Sequence, residues 1–181
     1  MGSSAPEPTG RAAFEVLVTE YGDRLYSVAL RITGSPEEAE DATQDAFLAA
    51  YRARDTFAGT AQIGTWLFRI AVNAALQRVR RRHPEDYLDA TGLDRRIVAD
   101  WSDEVQRRVE QRELRSVLER GIARLPEDLR VVLVLRDVEQ FSTSEAAQIL
   151  ELGLTALRVR RVRARLLVQE YLADYFSAEC S

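Results

Sequence analysis

The 181-residue sequence has no lysine: all 25 of its cationic side chains are Arg. Arg has GC-rich codons, so the bias follows from base composition and does not by itself indicate phosphate recognition. Cysteine is nearly absent as well. Cys180 stands alone, which excludes an internal disulfide, fits a reducing cytoplasm and leaves Cys180 as an ordinary thiol. The one His, His83, has no second ligand at i+4, and there is no Cys pair, so the pattern of a zinc site is missing. No Gly-rich phosphate loop occurs. The densest carboxylates, Glu37, Glu38, Glu40 and Asp41, stand where a helix N-terminus favours acids. The sequence thus points away from an enzyme, and no cofactor is expected. The longest run of large aliphatic residues is Val131 to Leu135, far too short to span a membrane. MGSSAPEPTG lacks a charged-then-apolar signal pattern and reads as a loose leader, residues 1–10. Alternating strand patterns are missing throughout, so the expected class is all-α.

What is present is a globular composition, 46% hydrophobic, with a net charge of −4 that is unevenly placed. Ala61 to Arg82 holds five Arg and no acid, His83 to Glu104 seven acids against two Arg, and Leu154 to Gln169 five Arg and no acid. Two basic blocks therefore flank an acidic one, a distribution suited to a polyanion partner.

Helical spacing dominates the chain. Phe14, Leu17, Tyr21, Leu25, Val28 and Ile32 mark a first helix from Arg11 to Thr33, with a possible break at Gly22. Ser35, Pro36 and Glu38 form a start signal with a capping box. The helix that follows turns Ala39, Ala42, Ala46, Phe47, Ala50 and Tyr51 inward and Asp41, Gln44 and Asp45 outward. On their own those three read as a plain solvated face. FAGTAQIG, from Phe57 to Gly64, is a loop, with Thr65 as N-cap of a third helix ending in Arg78, Arg80, Arg81 and Arg82. Cations in a last turn suit the helix dipole, though four in five residues exceed what it requires. His83 to Asp103 is acidic, contains Pro84 and Gly92, and reads as a linker. Helical spacing resumes to Arg124, and Pro126 starts a helix running to Val138.

Two short helices complete the pattern. Thr143 to Leu150 is capped by Ser142 or Thr143 with Glu145 close behind, and a tight turn follows in which Gly153 suits a left-handed backbone. From Leu154 the second helix carries Arg158, Arg160, Arg161, Arg163 and Arg165. This is the helix-turn-helix pattern for the DNA major groove, although an ordinary helical hairpin with a solvated Arg face would look similar.

At this point the chain resembles the extracytoplasmic-function sigma factors of bacterial RNA polymerase. AEDATQDAFLAAY (Ala39 to Tyr51), TWLFRIAVNAAL (Thr65 to Leu76), LPEDLRVVLVLRDVEQFSTSEAAQIL (Leu125 to Leu150) and RVRAR (Arg161 to Arg165) carry the likeness. The resemblance implies two small helical domains: sigma domain two over 11–82 and sigma domain four over 112–176, with a linker over 83–111 and a tail over 177–181. It implies a promoter-specificity subunit that binds core polymerase at its clamp helices and flap region, reads minus-thirty-five and minus-ten DNA, helps melt it, and is held inactive by an anti-sigma factor. It also implies a cytoplasmic protein without membrane insertion or catalysis. Asp41, Gln44 and Asp45 match positions that contact the clamp, where carboxylates can pair with Arg. Ala61, Gln62 and Ile63 match the loop that captures a flipped base, and Asn73 a polar base contact; flipping costs a few kcal/mol. Trp66 stands at a family position for minus-ten DNA, but an aromatic at helical spacing is more often core. Arg78, Arg80 and Arg81 match phosphate contacts. Arg158, Val159, Val162 and Arg163 match the groove-facing side of the recognition helix.

The chain departs from the family at Ile63-Gly64, where an aromatic or basic residue is usual, at Gln140 (usually Gly) and at Ala146 (usually Ile). It departs again at Arg161 and Val162, where the family has an apolar residue and then a polar or aromatic one; Arg165 fits. If the helix sits as in relatives, Leu157, Arg161, Ala164 and Val168 face inward. Replacing Arg161 by Leu is then expected to stabilise the domain by about 1 kcal/mol. The competing reading is a DNA-binding regulator that works without polymerase. Such a regulator has no need of both the Asp41/Gln44/Asp45 face and the Thr65-to-Arg82 helix.

Overall fold

The computed structural model describes residues 11–54, 62–82 and 111–179. The expectations for the leader, Ala61, the acidic linker and Cys180 lie outside those residues. The described residues form seven helices and no strand: α1 (Arg11–Thr33), α2 (Pro36–Ala53), α3 (Ile63–Arg82), α4 (Gln111–Ala123), α5 (Glu127–Leu133), α6 (Thr143–Leu150) and α7 (Leu154–Glu179). None of these helices is long and apolar enough to cross a membrane. The fold is all-α, in two helical domains.

In the first domain α1 is unbroken, against the expected break at Gly22. A Gly inside a helix costs only about 1 kcal/mol relative to Ala, and the buried Leu17, Leu25, Val28 and Ile32 outweigh it. Gly34, at φ +71, ends the helix. Ser35 then caps α2, its hydroxyl accepting from the Glu38 amide at 3.4 Å. The expected capping box is only half formed, because the Glu38 carboxylate turns to Arg82 at 3.1 Å. Ala39, Ala42, Ala46 and Ala50 are buried, and their small side chains bring α2 close to α1 and α3. Tyr51, expected inward, lies on the surface, edge-on to Phe14 at 5.1 Å and beneath Arg54 at 4.2 Å. α3 begins earlier than expected: the Gln62 carbonyl accepts from the Trp66 amide, and Thr65 is a buried residue within the helix, not its cap.

In the second domain α4, α5 and α6 pack around α7. Gly121 lets α4 approach, since a Cβ there would stand 2.8 Å from Cδ1 of Tyr171. α5 continues into a widened π turn, Val134–Val138, closed by the Glu139 amide donating to Val134 at 2.9 Å. Ser142 and Glu145 form the complete capping box of α6. The left-handed residue of the following turn is Glu151, at φ 54, not Gly153. The Leu152 amide reaches back to the Ala147 carbonyl, which closes α6 in the residue before any glycine is available. Gly153 instead takes the N-cap place of α7, its carbonyl accepting from Leu157 at 3.0 Å.

The two domains pack on each other. Phe68 of α3 stacks edge-on with Phe141 at 4.8 Å, and Arg24 lies over the Phe68 ring while pairing with Glu139 at 2.9 Å. Arg31 pairs with Glu119 at 2.8 Å and Arg80 with Glu127 at 3.2 Å. Arg130 bonds the carbonyls of Ala123 and Leu125, and across the seam that of Ile32 at 2.9 Å. Arg82 takes the neighbouring Thr33 carbonyl at 2.8 Å, so two guanidiniums serve the C-terminal end of α1.

Gln140 holds φ 59 without being glycine. A left-handed non-glycine residue costs about 1–2 kcal/mol, and glycine's greater unfolded-state entropy returns roughly half of that. Gln140→Gly should therefore raise stability by about 0.5–1 kcal/mol, read as a higher urea midpoint at unchanged slope. An unchanged or lower midpoint would contradict the backbone assignment.

Candidate nucleic-acid interface

α7 has two distinct sides. Leu157, Ala164 and Val168 are buried against α5 and α6, which fixes the rotation of the helix. The other side presents Arg158, with Val159 48% and Val162 41% exposed, and the half-buried Arg163. Among the described residues Arg158 and Arg163 make no ion pair. Arg160, beside them, is 3.7 Å from Asp128. The helix-turn-helix therefore leaves one cationic and partly apolar face on which Arg158 and Arg163 have no ion pair among the described residues.

Arg161 stands on the inward side, but not as an unpaired stem. Its guanidinium donates twice to Asp137, at 3.0 and 2.9 Å, and Arg165 donates to the same carboxylate. The sequence reading missed Asp137, which lies in the π turn 24 residues away from Arg161. An acid directly after Arg136, in the turn that continues α5, the helix packed against the basic helix, was the available signal. Burial pushes the Asp137 carboxyl up, yet the hydrogen bonds and charges of Arg161 and Arg165 reverse this and hold it below its ordinary value. The hydrogen bond to Asp137 in turn raises Arg161. Nearby Arg136 is lowered, first by burial and then by Arg161. One carboxylate thus holds two cations of the recognition helix against a third. The expected gain from Arg161→Leu is overturned: leucine would remove a two-bond partner of a largely buried carboxylate.

In the first domain, α2 and α3 enclose an open groove lined by Asp45, Ile70, Asn73, Gln77, Arg78 and Arg81. Asn73 is exposed there, one turn below Arg69 and one above Gln77. Arg78 spans Asp41 at 3.0 Å and Asp45 at 2.6 Å, bringing together residues that the sequence assigned to different partners. Gln44 is exposed on the same side of α2. Of the cations at the end of α3, Arg78, Arg80 and Arg82 all have partners within the chain, and only Arg81 makes no ion pair among the described residues. At the N-terminal end of α3, Gln62 is exposed, whereas Ile63 and Trp66 are packed into the core. Gly64 sits beside them against the Tyr21 ring, 3.2 Å from where a Cβ would stand.

Residues 17–85 match Sigma-70 region 2, and residues 115–168 match Sigma-70, region 4. A chain holding both regions on an all-α fold is a sigma subunit of RNA polymerase. The chain belongs to the extracytoplasmic-function sigma factors. It is 32% identical to the ECF RNA polymerase sigma factor SigW of Bacillus subtilis (strain 168) over 168 residues, 90% of each chain. It is 36% identical to the ECF RNA polymerase sigma-E factor of Escherichia coli (strain K12) over 159 residues, 84% of this chain and 83% of that one. Among solved structures, CnrH in complex with the cytosolic domain of CnrY matches with TM-score 0.67 and 26% identity, covering 93% of this chain and 92% of that one. RpoE of Bartonella quintana, solved with the anti-sigma factor NepR, shares the fold with TM-score 0.68 at 22% identity, covering 90% of this chain and 98% of that one. The chain is thus a promoter-specificity subunit that takes part in transcription initiation and binds DNA.

The Asp137 cluster predicts a pH dependence. Its carboxyl is depressed in the folded chain, so its contribution is fully present above the ordinary value of 3.8 and is lost as pH falls through the lower folded value. Asp137→Asn should cost about 2 kcal/mol at neutral pH, because two guanidiniums lose the negative charge they share and one of its two acceptor oxygens. The deficit should shrink as pH drops below that ordinary value. Urea melts at neutral and acid pH check this; a deficit independent of pH would contradict it.

Proposed function

We propose the following division of labour for this sigma subunit. Residues 11–82 dock on core polymerase and read the minus-ten element, residues 112–176 read the minus-thirty-five element, and residues 83–111 link them, between a leader (1–10) and a tail (177–181). Asp41, Gln44 and Asp45 meet the clamp helices of the largest polymerase subunit, while the second domain lies near the flap. Ala61, Gln62 and Ile63 border the pocket for a flipped nontemplate base, with Asn73 as a second polar contact. Gln62 and Asn73 supply exposed hydrogen-bonding groups; Ile63 and Trp66 set the position of the helix end from the core. Arg81 holds phosphate directly, and Arg78 and Arg80 do so once their internal partners are exchanged. Arg158, Val159, Val162 and Arg163 enter the major groove. The catalysis belongs to polymerase and not to this chain. The protein works in the cytoplasm, and an anti-sigma factor restrains it; CnrH was solved in complex with the cytosolic domain of CnrY, and RpoE in complex with the anti-sigma factor NepR.

The observation that carries the DNA-reading assignment is the division of α7 into a buried side through Leu157, Ala164 and Val168 and an unpartnered side through Arg158, Val159, Val162 and Arg163. Binding of the polymerase complex to minus-thirty-five duplexes tests it. Arg163→Ala should leave the melting temperature in place and cost roughly 1–3 kcal/mol of binding if the guanidinium is bidentate to a guanine. If Arg163 touches phosphate alone, the loss should be uniform across sequences and the salt slope should fall by about one. Unchanged binding to every duplex would remove Arg163, and with it this rotation of the helix, from the interface.

A further inference from the structure

The bridge made by Arg78 joins two surfaces that the proposed function gives to different macromolecules. Asp41 and Asp45 lie one helical turn apart on α2, and Arg78 reaches across from α3 to both, at 3.0 and 2.6 Å. The same guanidinium borders the groove that holds Asn73, Gln77 and Arg81. The two carboxylates are 53% and 60% exposed as side chains and Arg78 only 23%. The acids therefore face outward, towards an arriving partner, and the cation lies behind them.

We propose that Arg78 is a coupling residue: it occupies the Asp41/Asp45 pair in the free chain and is released to the Asn73 groove when a cation of core polymerase takes its place. The inference rests on the reading of Asp41 and Asp45 as the docking face. In the free chain Arg78 is held by Asp41 and Asp45, so of the cations lining the groove only Arg81 is without an ion pair among the described residues, and the attraction to phosphate is weak. Once an incoming guanidinium takes the place of Arg78 on the two carboxylates, Arg78 is freed to stand with Arg81 beside Asn73, and a single strand can be held there. The exchange is cheap because exposed ion pairs contribute little, about 0–1 kcal/mol each. It replaces one guanidinium on the carboxylates by another and opens no buried charge.

The test uses the full chain and measures core-polymerase affinity together with binding of the free chain to a short, labelled single-stranded oligonucleotide. Arg78→Gln should tighten core binding, by about three- to tenfold, because the carboxylates no longer have an internal competitor. Arg78→Lys, a compact ammonium that cannot reach two carboxylates as a fork, should fall between parent and Arg78→Gln. Asp41→Asn with Asp45→Asn should weaken core binding while strengthening oligonucleotide binding by the free chain, with a salt slope steeper by about one contact. Adding Arg78→Gln to that background should remove the gain. Thermal melts accompany each variant, and Arg78→Lys, which keeps the charge, carries the comparison if Arg78→Gln melts early. Unchanged core affinity in the double Asp variant would overturn the docking reading itself. Weakened core affinity in that variant, combined with unchanged or weaker core binding by both Arg78 variants, would overturn the exchange and leave the docking face standing.

Discussion

Thr65, Trp66, Leu67 and Phe68 are buried one after another in α3, and the rest of the structure follows from that. A helix turns about 100° per residue, so four consecutive side chains sweep most of the way round its axis. One neighbouring helix cannot cover them. α1 and α2 take the inner side, and the outer side needs a second layer, which α6 and Phe141 provide. The aromatic contact at Phe68 thereby makes two small domains into one body. Each domain alone has a core of only a few helices, and domains of that size are marginal. Burying Phe68 against Phe141 gives both of them apolar area that neither could supply to itself.

Polar groups then fix the register of that contact. Arg24, Arg31 and Arg80 from the first domain each meet one Glu of the second, at Glu139, Glu119 and Glu127. Each pair keeps one partner exposed and so contributes little stability by itself. Their value lies in orientation, because a shifted seam would leave each of these charges without its opposite. Arg130 is different: it is substantially buried and bonded to three backbone carbonyls, including one of the first domain. Burial lowers its ionisation tendency, yet the carbonyl ends of two helices offset that cost. The same economy holds the recognition helix, where Asp137 gathers Arg161 and Arg165 and leaves Arg158 and Arg163 facing outward.

Local signals made much of this legible. Ser142 and Glu145 placed the start of α6, and the inward spacing of Leu157, Ala164 and Val168 placed the rotation of α7. Those features depend on residues three or four apart. Where the reading failed, the cause was a choice the local pattern could not decide. Gly22 can break a helix or ride within one, and the buried residues on either side decide which. Gly153 was the natural left-handed residue of its turn, but Glu151 takes that conformation because α6 closes there. Thr65 has the side chain of a cap and the position of a core residue. The candidate site was legible as residue types and illegible as partnerships. Arg78 with Asp41 and Asp45, Arg161 with Asp137, and Arg24 with Glu139 join residues far apart in sequence, and nothing in a local window marks them.

The central claim is that two DNA-reading surfaces on one chain act together through polymerase. Run-off transcription with core polymerase and a library of genomic promoter fragments tests it most directly. A rigid polymerase that carries both domains must separate their target elements by a nearly constant distance. The account predicts transcripts that appear only when the chain is added, and start sites preceded by two shared sequence elements at nearly fixed spacing. Sequence-specific binding of the same fragments by the chain alone, with no transcripts on adding core polymerase, would contradict it.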